Sequence, residues 1–210
     1  MIRDILISLA AIVIAYLIGS LPSAFIIGKT RRGVDIRKVG SHNMGAMNTF
    51  YSVGFWWGML VLGMDILKGS LGVLAARMLN APLYIDMACG LAVIIGHNLP
   101  VFLKFKGGKG GASLIGVLLV FMPWGMLVYP LVFGLILLIT RFPTLSYGAA
   151  FFCFPFLAWL IYHNPAYVIY SLAMVLIPLL RYIPRIVEMR SKATDGWKHV
   201  AMRKNLKDRL

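Results

Sequence analysis

Gly111-Ala-Ser-Leu-Ile-Gly-Val-Leu-Leu-Val-Phe-Met-Pro-Trp-Gly-Met-Leu-Val-Tyr-Pro-Leu-Val-Phe-Gly-Leu-Ile-Leu-Leu-Ile-Thr140 is the stretch whose reading decides the fold. It carries no charge. A helix needs about 20 apolar residues to cross the hydrocarbon core, so the stretch is too long for one ordinary pass and short for two. Pro123-Trp124-Gly125 and Pro130 interrupt it. On either side lie further apolar runs: Ile5–Ile27, Phe50–Leu79, Ala81–Leu103, Phe142–Tyr162 and Pro165–Leu180. Length alone therefore leaves six or seven passes.

Charge separates the two counts. One basic loop holds Lys29, Arg31, Arg32, Arg37 and Lys38, and a second holds Lys104, Lys106 and Lys109. Arg141 stands alone between apolar runs, and the C-terminal region from Arg181 to Arg209 is rich in Lys and Arg. Placing all four regions on one face, as the positive-inside rule asks, requires an even number of passes between each pair. Gly111–Thr140 is then two short helices. The expected architecture is all-α, a polytopic membrane protein with seven transmembrane helices, its N-terminus outside and its C-terminus cytoplasmic. The first run is read as one retained helix, because Gly19-Ser-Leu-Pro22 is a poor cleavage site. A single domain is expected over residues 1–210, with a basic cytoplasmic tail over 190–210.

Composition agrees. The chain is 60% hydrophobic and 13% charged, yet its formal net charge is +14. On a soluble protein such a balance points to nucleic acid. Here the cations sit in short loops between apolar runs, which excludes nucleic acid and points to membrane lipids or an anionic substrate. Cys89 and Cys153 lie inside apolar runs and read as packing residues. Trp56, Trp57, Trp124 and Trp159 suit the membrane interface. Asp65 and Lys68 fall in mid-helix three residues apart, a spacing that lets them pair.

Two basic-face loops carry more than connection. The first reads Asp35-Ile-Arg-Lys-Val-Gly-Ser-His-Asn-Met-Gly-Ala-Met-Asn48, and the second Gly96-His-Asn-Leu-Pro-Val-Phe-Leu-Lys-Phe-Lys-Gly-Gly-Lys-Gly-Gly-Ala-Ser113. Glycines let successive N–H groups turn toward one point as a nest for an oxyanion. Each loop also feeds a helix N-terminus, which favours phosphate. Tight turns alone explain a single Gly-Gly-Lys-Gly; two such loops on one face suggest a site for a phosphorylated substrate. The second is no nucleotide P-loop, since neither Ser nor Thr follows its Lys. His97 reads as packing and loop support rather than a proton-transfer group.

These loops resemble the signature motifs of the acyl-phosphate-dependent glycerol-3-phosphate acyltransferases, the PlsY family of bacteria. The likeness also takes in Gly19-Ser-Leu-Pro-Ser23 and Asp65-Ile-Leu-Lys-Gly69. It implies seven helices in the bacterial plasma membrane with a cytoplasmic active site. The implied reaction moves a fatty acyl group from acyl phosphate to the 1-hydroxyl of glycerol 3-phosphate, giving lysophosphatidate, with no cofactor and no metal. An acyl phosphate has a good leaving group, so positioning and fixed positive charge suffice. By resemblance Ser41, Asn43 and Lys109 are catalytic. Gly45, Asn48, Gly107, Gly108, Gly110 and Thr144 bind substrate by the same resemblance; His42 is expected, from its own place inside the phosphate loop, to supply a further cation.

The chain departs from the family pattern at named places. His42 stands where Gly is usual, Met47 where Thr is usual, and Tyr51 where an Arg is expected. Leu179, Tyr182 and Ser191 stand where His, Asn and Glu are expected, with Glu188 a turn early. Those departures leave a second reading, a non-catalytic paralogue that binds a phosphorylated lipid or precursor. The charges inside the membrane leave a third, a small phosphate or organic-anion transporter.

Overall fold

The structure, a computed structural model, describes residues 2–192; the side chains of Thr144, Arg185, Ile186 and residues 188–192 lie outside that description. The basic tail expected over 190–210 falls, from 193 on, outside the described residues. Every regular element among the described residues is helical. Four helical stretches are long and apolar enough to cross a membrane: Ile2–Arg32, Phe55–Met78, Leu83–Leu103 and Pro165–Pro184. Gly111–Phe121, Gly125–Thr140 and Leu145–Leu160 are shorter apolar helices.

The deciding stretch is two helices, α6 (Gly111–Phe121) and α7 (Gly125–Thr140). The chain turns through Pro123 and Trp124, where the Gly125 N–H reaches the Met122 carbonyl at 2.9 Å. Pro130, read above as a second interruption, lies inside α7 without ending it. Proline is tolerated within membrane helices because neighbouring groups satisfy what it frees.

The first run is not one uniform helix. It divides into α1 (Ile2–Gly19) and α2 (Ser23–Arg32). Pro22 has no N–H to continue the ladder, and Leu21 bonds back only to Ile18 at 3.2 Å. The break turns the Leu21 carbonyl aside, where the Lys68 ammonium donates to it at 3.0 Å. Lys68, on α4 (Phe55–Met78), is also paired with Asp65 at 2.8 Å. Asp65 in turn accepts from the Ser23 hydroxyl at 3.0 Å. Asp65 and Lys68 are 1% and 4% exposed. A charge at this depth costs several kcal/mol unless it is paired and hydrogen-bonded, and the kink supplies the remaining acceptor. Two motifs distant in sequence thus form one buried polar node.

Two other runs are subdivided as well. A short helix, α3 (Ala46–Ser52), precedes α4, separated by Gly54. The run Phe142–Tyr162 becomes α8 (Pro143–Ala150) and α9 (Cys153–Leu160). Pro155 cannot donate to Phe151, so that carbonyl accepts from Phe154 three residues on, at 3.1 Å. The ladder tightens there.

The described chain falls into two compact units, up to Val120 and from Phe121 onward. In the first, α1, α4 and α5 (Leu83–Asn98) meet through small residues. Gly19 lies on the Val93 backbone, and Gly96 on the Tyr16 carbonyl. Likewise Gly69 and Gly116 let α6 approach α4, against Ser113 and Ile66. Small residues of this kind drive helix association where lipid removes the hydrophobic term. Both cysteines are free and buried.

In the second unit, Tyr129, Phe151 and Phe154 form an aromatic core, with the Tyr129 hydroxyl donating to the Tyr147 carbonyl at 3.0 Å. The last helix among the described residues, α10, runs Pro165–Lys192 and packs Tyr167 and Tyr170 edge-on against Phe121, with ring centres 5.6 and 5.2 Å apart.

Candidate functional site

The first signature loop joins α2 to α3. Asp35 opens a single 3-10 turn, Ile36–Lys38, by accepting from the Arg37 N–H at 3.0 Å. The Arg37 guanidinium closes on the same carboxylate at 3.0 and 2.8 Å. That fork holds the Asp35 pKa down at about 2, the side-chain bonds to Arg37 outweighing burial. It raises Arg37 for the same reason. Arg37 is thereby tied to a carboxylate.

Asn48 organises the rest of the loop. Its side-chain NH2 faces the carbonyls of Ile36, Val39 and Asn43 at 2.8, 3.0 and 3.0 Å. Its oxygen accepts from the Ser41 N–H at 3.0 Å and the Ser52 hydroxyl at 3.2 Å. At 3% exposed, its amide serves the loop itself. The Ser41, His42 and Gly45 N–H groups are taken up within the loop, by Asn48, Val39 and Asn43. Ser41 and His42 face outward, and Asn43 is half-buried beside Gly45.

His42 has a left-handed backbone, φ 56°, the region that favours glycine. That explains why glycine suits this position and why histidine is a departure. Its Nδ1 donates to the Arg37 carbonyl at 3.2 Å.

The second loop folds back along α5. Gly107 and Gly108 donate their N–H groups to the carbonyls of Asn98 and His97, at 3.2 and 3.1 Å. Those are orphan carbonyls at the C-terminal end of α5. The nest reading asked these two N–H groups to meet an anion; the structure uses them to cap a helix. Both glycines have a tight-approach role instead. A side chain at Gly107 would strike the His97 carbonyl, and one at Gly108 the His97 ring and the Met44 carbonyl. Gly110 sits at φ 83°, and its carbonyl takes the Leu114 N–H at 2.8 Å. The N–H groups of Gly111, Ala112 and Ser113 precede that bond and so have no partner within α6. Lys109 is half-buried, one residue removed from them across Gly110.

The two loops meet. Met44, 2% exposed, presents its carbonyl to Gly108, and its side chain packs in one cluster with Ile36 and Leu103. Side-chain donors of the first loop and Lys109 of the second therefore belong to one compact unit. Sequence reasoning did not foresee that loop amides would be used internally; the α5 carbonyls that claim them carry no sequence signal.

Elsewhere, Thr144 follows Pro143 at the start of α8, but its side chain lies outside the described residues. The turn before it is held by Thr140, whose hydroxyl lies 3.0 Å from Ser146 Oγ and accepts from the Phe142 N–H at 3.2 Å. Leu179 and Tyr182 lie on α10, and the side chains of Glu188 and Ser191 are outside the description. Tyr51 packs edge-on against Phe50 at 4.9 Å.

Comparison with known proteins gives one answer. A family model described as glycerol-3-phosphate acyltransferase matches residues 9–192. Glycerol-3-phosphate acyltransferase 2 of Dehalococcoides mccartyi is 50% identical over 209 residues, 99% of this chain and all of that protein. The glycerol-3-phosphate acyltransferase of Endomicrobium trichonymphae is 37% identical, covering 87% of this chain and 94% of its own. The crystal structure of PlsY (YgiH), an integral membrane glycerol 3-phosphate acyltransferase in its glycerol 3-phosphate form, superposes with a TM-score of 0.80 at 29% identity. The match covers 92% of this chain and 96% of that one. Motifs, helical architecture and paired loops all converge with these matches, and the chain belongs to the glycerol-3-phosphate acyltransferase family.

Proposed function

We propose that the chain transfers a fatty acyl group from acyl phosphate to the 1-hydroxyl of glycerol 3-phosphate, in phospholipid synthesis. The hydroxyl oxygen bonds to the acyl carbon and the bond from that carbon to the phosphate oxygen breaks. Lysophosphatidate and inorganic phosphate leave, the hydroxyl proton ending on the released phosphate. The observation that carries the reading is the junction of the loops at Met44 and Gly108. It joins the Ser41–Asn43 segment to Lys109 and the N-terminus of α6 in one unit. The likeness to relatives crystallised with glycerol 3-phosphate and with lysophosphatidic acid supports both ends of the reaction.

In this reading Lys109, Ser41 and Asn43 hold phosphate and acyl carbonyl oxygens. His42 adds a cation when protonated. Asn48, Gly107, Gly108 and Gly110 act by shaping the loops. The family match from 9 to 192 supports reading the chain as one acyltransferase domain. The seven apolar helical stretches, with the positive-inside rule applied to the basic loops between them, support seven passes in the bacterial plasma membrane. The N-terminus is then outside, and the C-terminus and active site cytoplasmic.

Purified protein given palmitoyl phosphate and labelled glycerol 3-phosphate is expected to form lysophosphatidate, and Lys109→Ala to reduce this by one to two decades. That is the effect of losing a charge-assisted contact of about 1.5–3 kcal/mol. Absence of product from the unaltered chain, where a relative is active, overturns the reading.

A further inference from the structure

His97 ends α5 beside the second loop and is 3% exposed. Its carbonyl accepts the Gly108 N–H at 3.1 Å, while its Nε2 lies against the Gly108 Cα, where any Cβ would collide with it. On the other side of the ring, Nδ1 lies 3.3 Å from the Ser113 hydroxyl in the first turn of α6. It also lies 3.8 Å from Asp65 Oδ1, the oxygen bound by Lys68 and Ser23 at 2.8 and 3.0 Å. One imidazole thus connects the buried charged node to both ends of the Gly108–Ser113 segment, and Lys109 lies within it. The node ties α4 to the α1–α2 break, since Asp65 and Lys68, both on α4, bond to the Ser23 hydroxyl and the Leu21 carbonyl. Whatever holds the ring holds the loop.

We propose that His97 is a positioning residue for acyl transfer, fixing the Gly108–Ser113 segment on the Asp65–Lys68 node and so setting where Lys109 and the α6 N-terminus meet the substrate phosphate. The inference rests on the acyl-transfer reading above. Both ring nitrogens face protein groups, and the residue is buried; its part is to place the loop, not to touch substrate.

The test is made on the full chain in bilayer nanodiscs, with kinetics and amide hydrogen exchange on the same preparations. His97→Ala is expected to raise the KM for glycerol 3-phosphate or acyl phosphate at least tenfold, with a smaller fall in kcat. Exchange should quicken at residues 107–113 while α4 stays protected. His97→Asn, which keeps a polar atom near the Nδ1 position, should recover part of the KM. Gly108→Ala should be less damaging in the His97→Ala background than alone, because one of its two collisions is gone.

Unaltered KM and exchange in His97→Ala overturn the proposal. So does a fall in kcat at constant KM, which marks a group acting in the chemical step. Loss of protection throughout the first unit overturns it too, as the sign of a general structural role. Should the unaltered chain form no lysophosphatidate, the acyl-transfer reading fails on its own, and exchange at 107–113 still decides whether His97 holds the loop.

Discussion

Lys68 shows how a single residue acquires its environment. Its spacing from Asp65 made the ion pair legible in the sequence. Its second partner, the Leu21 carbonyl, was not, because only the kink at Pro22 turns that carbonyl toward α4. Breaking a buried pair from one side leaves a charge uncompensated, so Lys68→Met should cost about 3–5 kcal/mol. Removing both charges, as Asp65→Asn with Lys68→Met, should cost less than the two single changes together; unfolding midpoints of the four proteins in one detergent check this. His42 carries two opposed effects. His42→Gly relieves the left-handed backbone and should stabilise the fold by about 1–2 kcal/mol, while weakening affinity for the phosphate substrate. Equal activity and affinity in His42→Gly and the parent would remove His42 from the site. Asp35 titrates in the opposite sense from a buried carboxyl. Its folded pKa, about 2, lies below the ordinary 3.8, so its contribution to stability is present above about pH 4 and is lost as pH falls toward 2. Arg37→Ala should flatten stability against pH across that window, measured by thermal unfolding between pH 2 and 6.

At the scale of elements, the sequence was most informative where a proline meets a turn residue. Pro123-Trp124-Gly125 ends α6 as the charge count required, whereas Pro130 is absorbed within α7. The division of Phe142–Tyr162 was not foreseen, since Pro155 near a helix start looks harmless until the Phe151 carbonyl loses its partner. Glycine motifs misled in a similar way. Gly107 and Gly108 suggested a nest, but the end of α5 lies within reach and takes their N–H groups. Small residues between helices do what the membrane setting demands, and Gly96 lies directly on the Tyr16 carbonyl. Gly96→Val should separate α1 from α5 and destabilise the chain by at least about 1–3 kcal/mol. A lowered unfolding midpoint and a reduced folded fraction on size exclusion are the readouts.

For the whole molecule, apolar run length and the side preference of cations were enough to read an all-helical membrane protein, and the two signature loops to read its family. Placement of individual site groups was less legible, because it depends on contacts between segments far apart in sequence, such as Met44 with Gly108. The proposed seven-pass orientation puts Asn80 outside and Lys106 inside. In a chain with Cys89 and Cys153 replaced by Ala, Asn80→Cys should react with a membrane-impermeant maleimide on intact cells. Lys106→Cys should react only after permeabilisation, and the reverse pattern would overturn the orientation.

Acyl transfer at the joined loops is tested most directly by following both products in one reaction. With palmitoyl phosphate and glycerol 3-phosphate, the purified chain is predicted to yield lysophosphatidate and inorganic phosphate in equal amounts, at a rate sharply reduced by Lys109→Ala. Phosphate release without lysophosphatidate, or full activity in Lys109→Ala, would contradict the account.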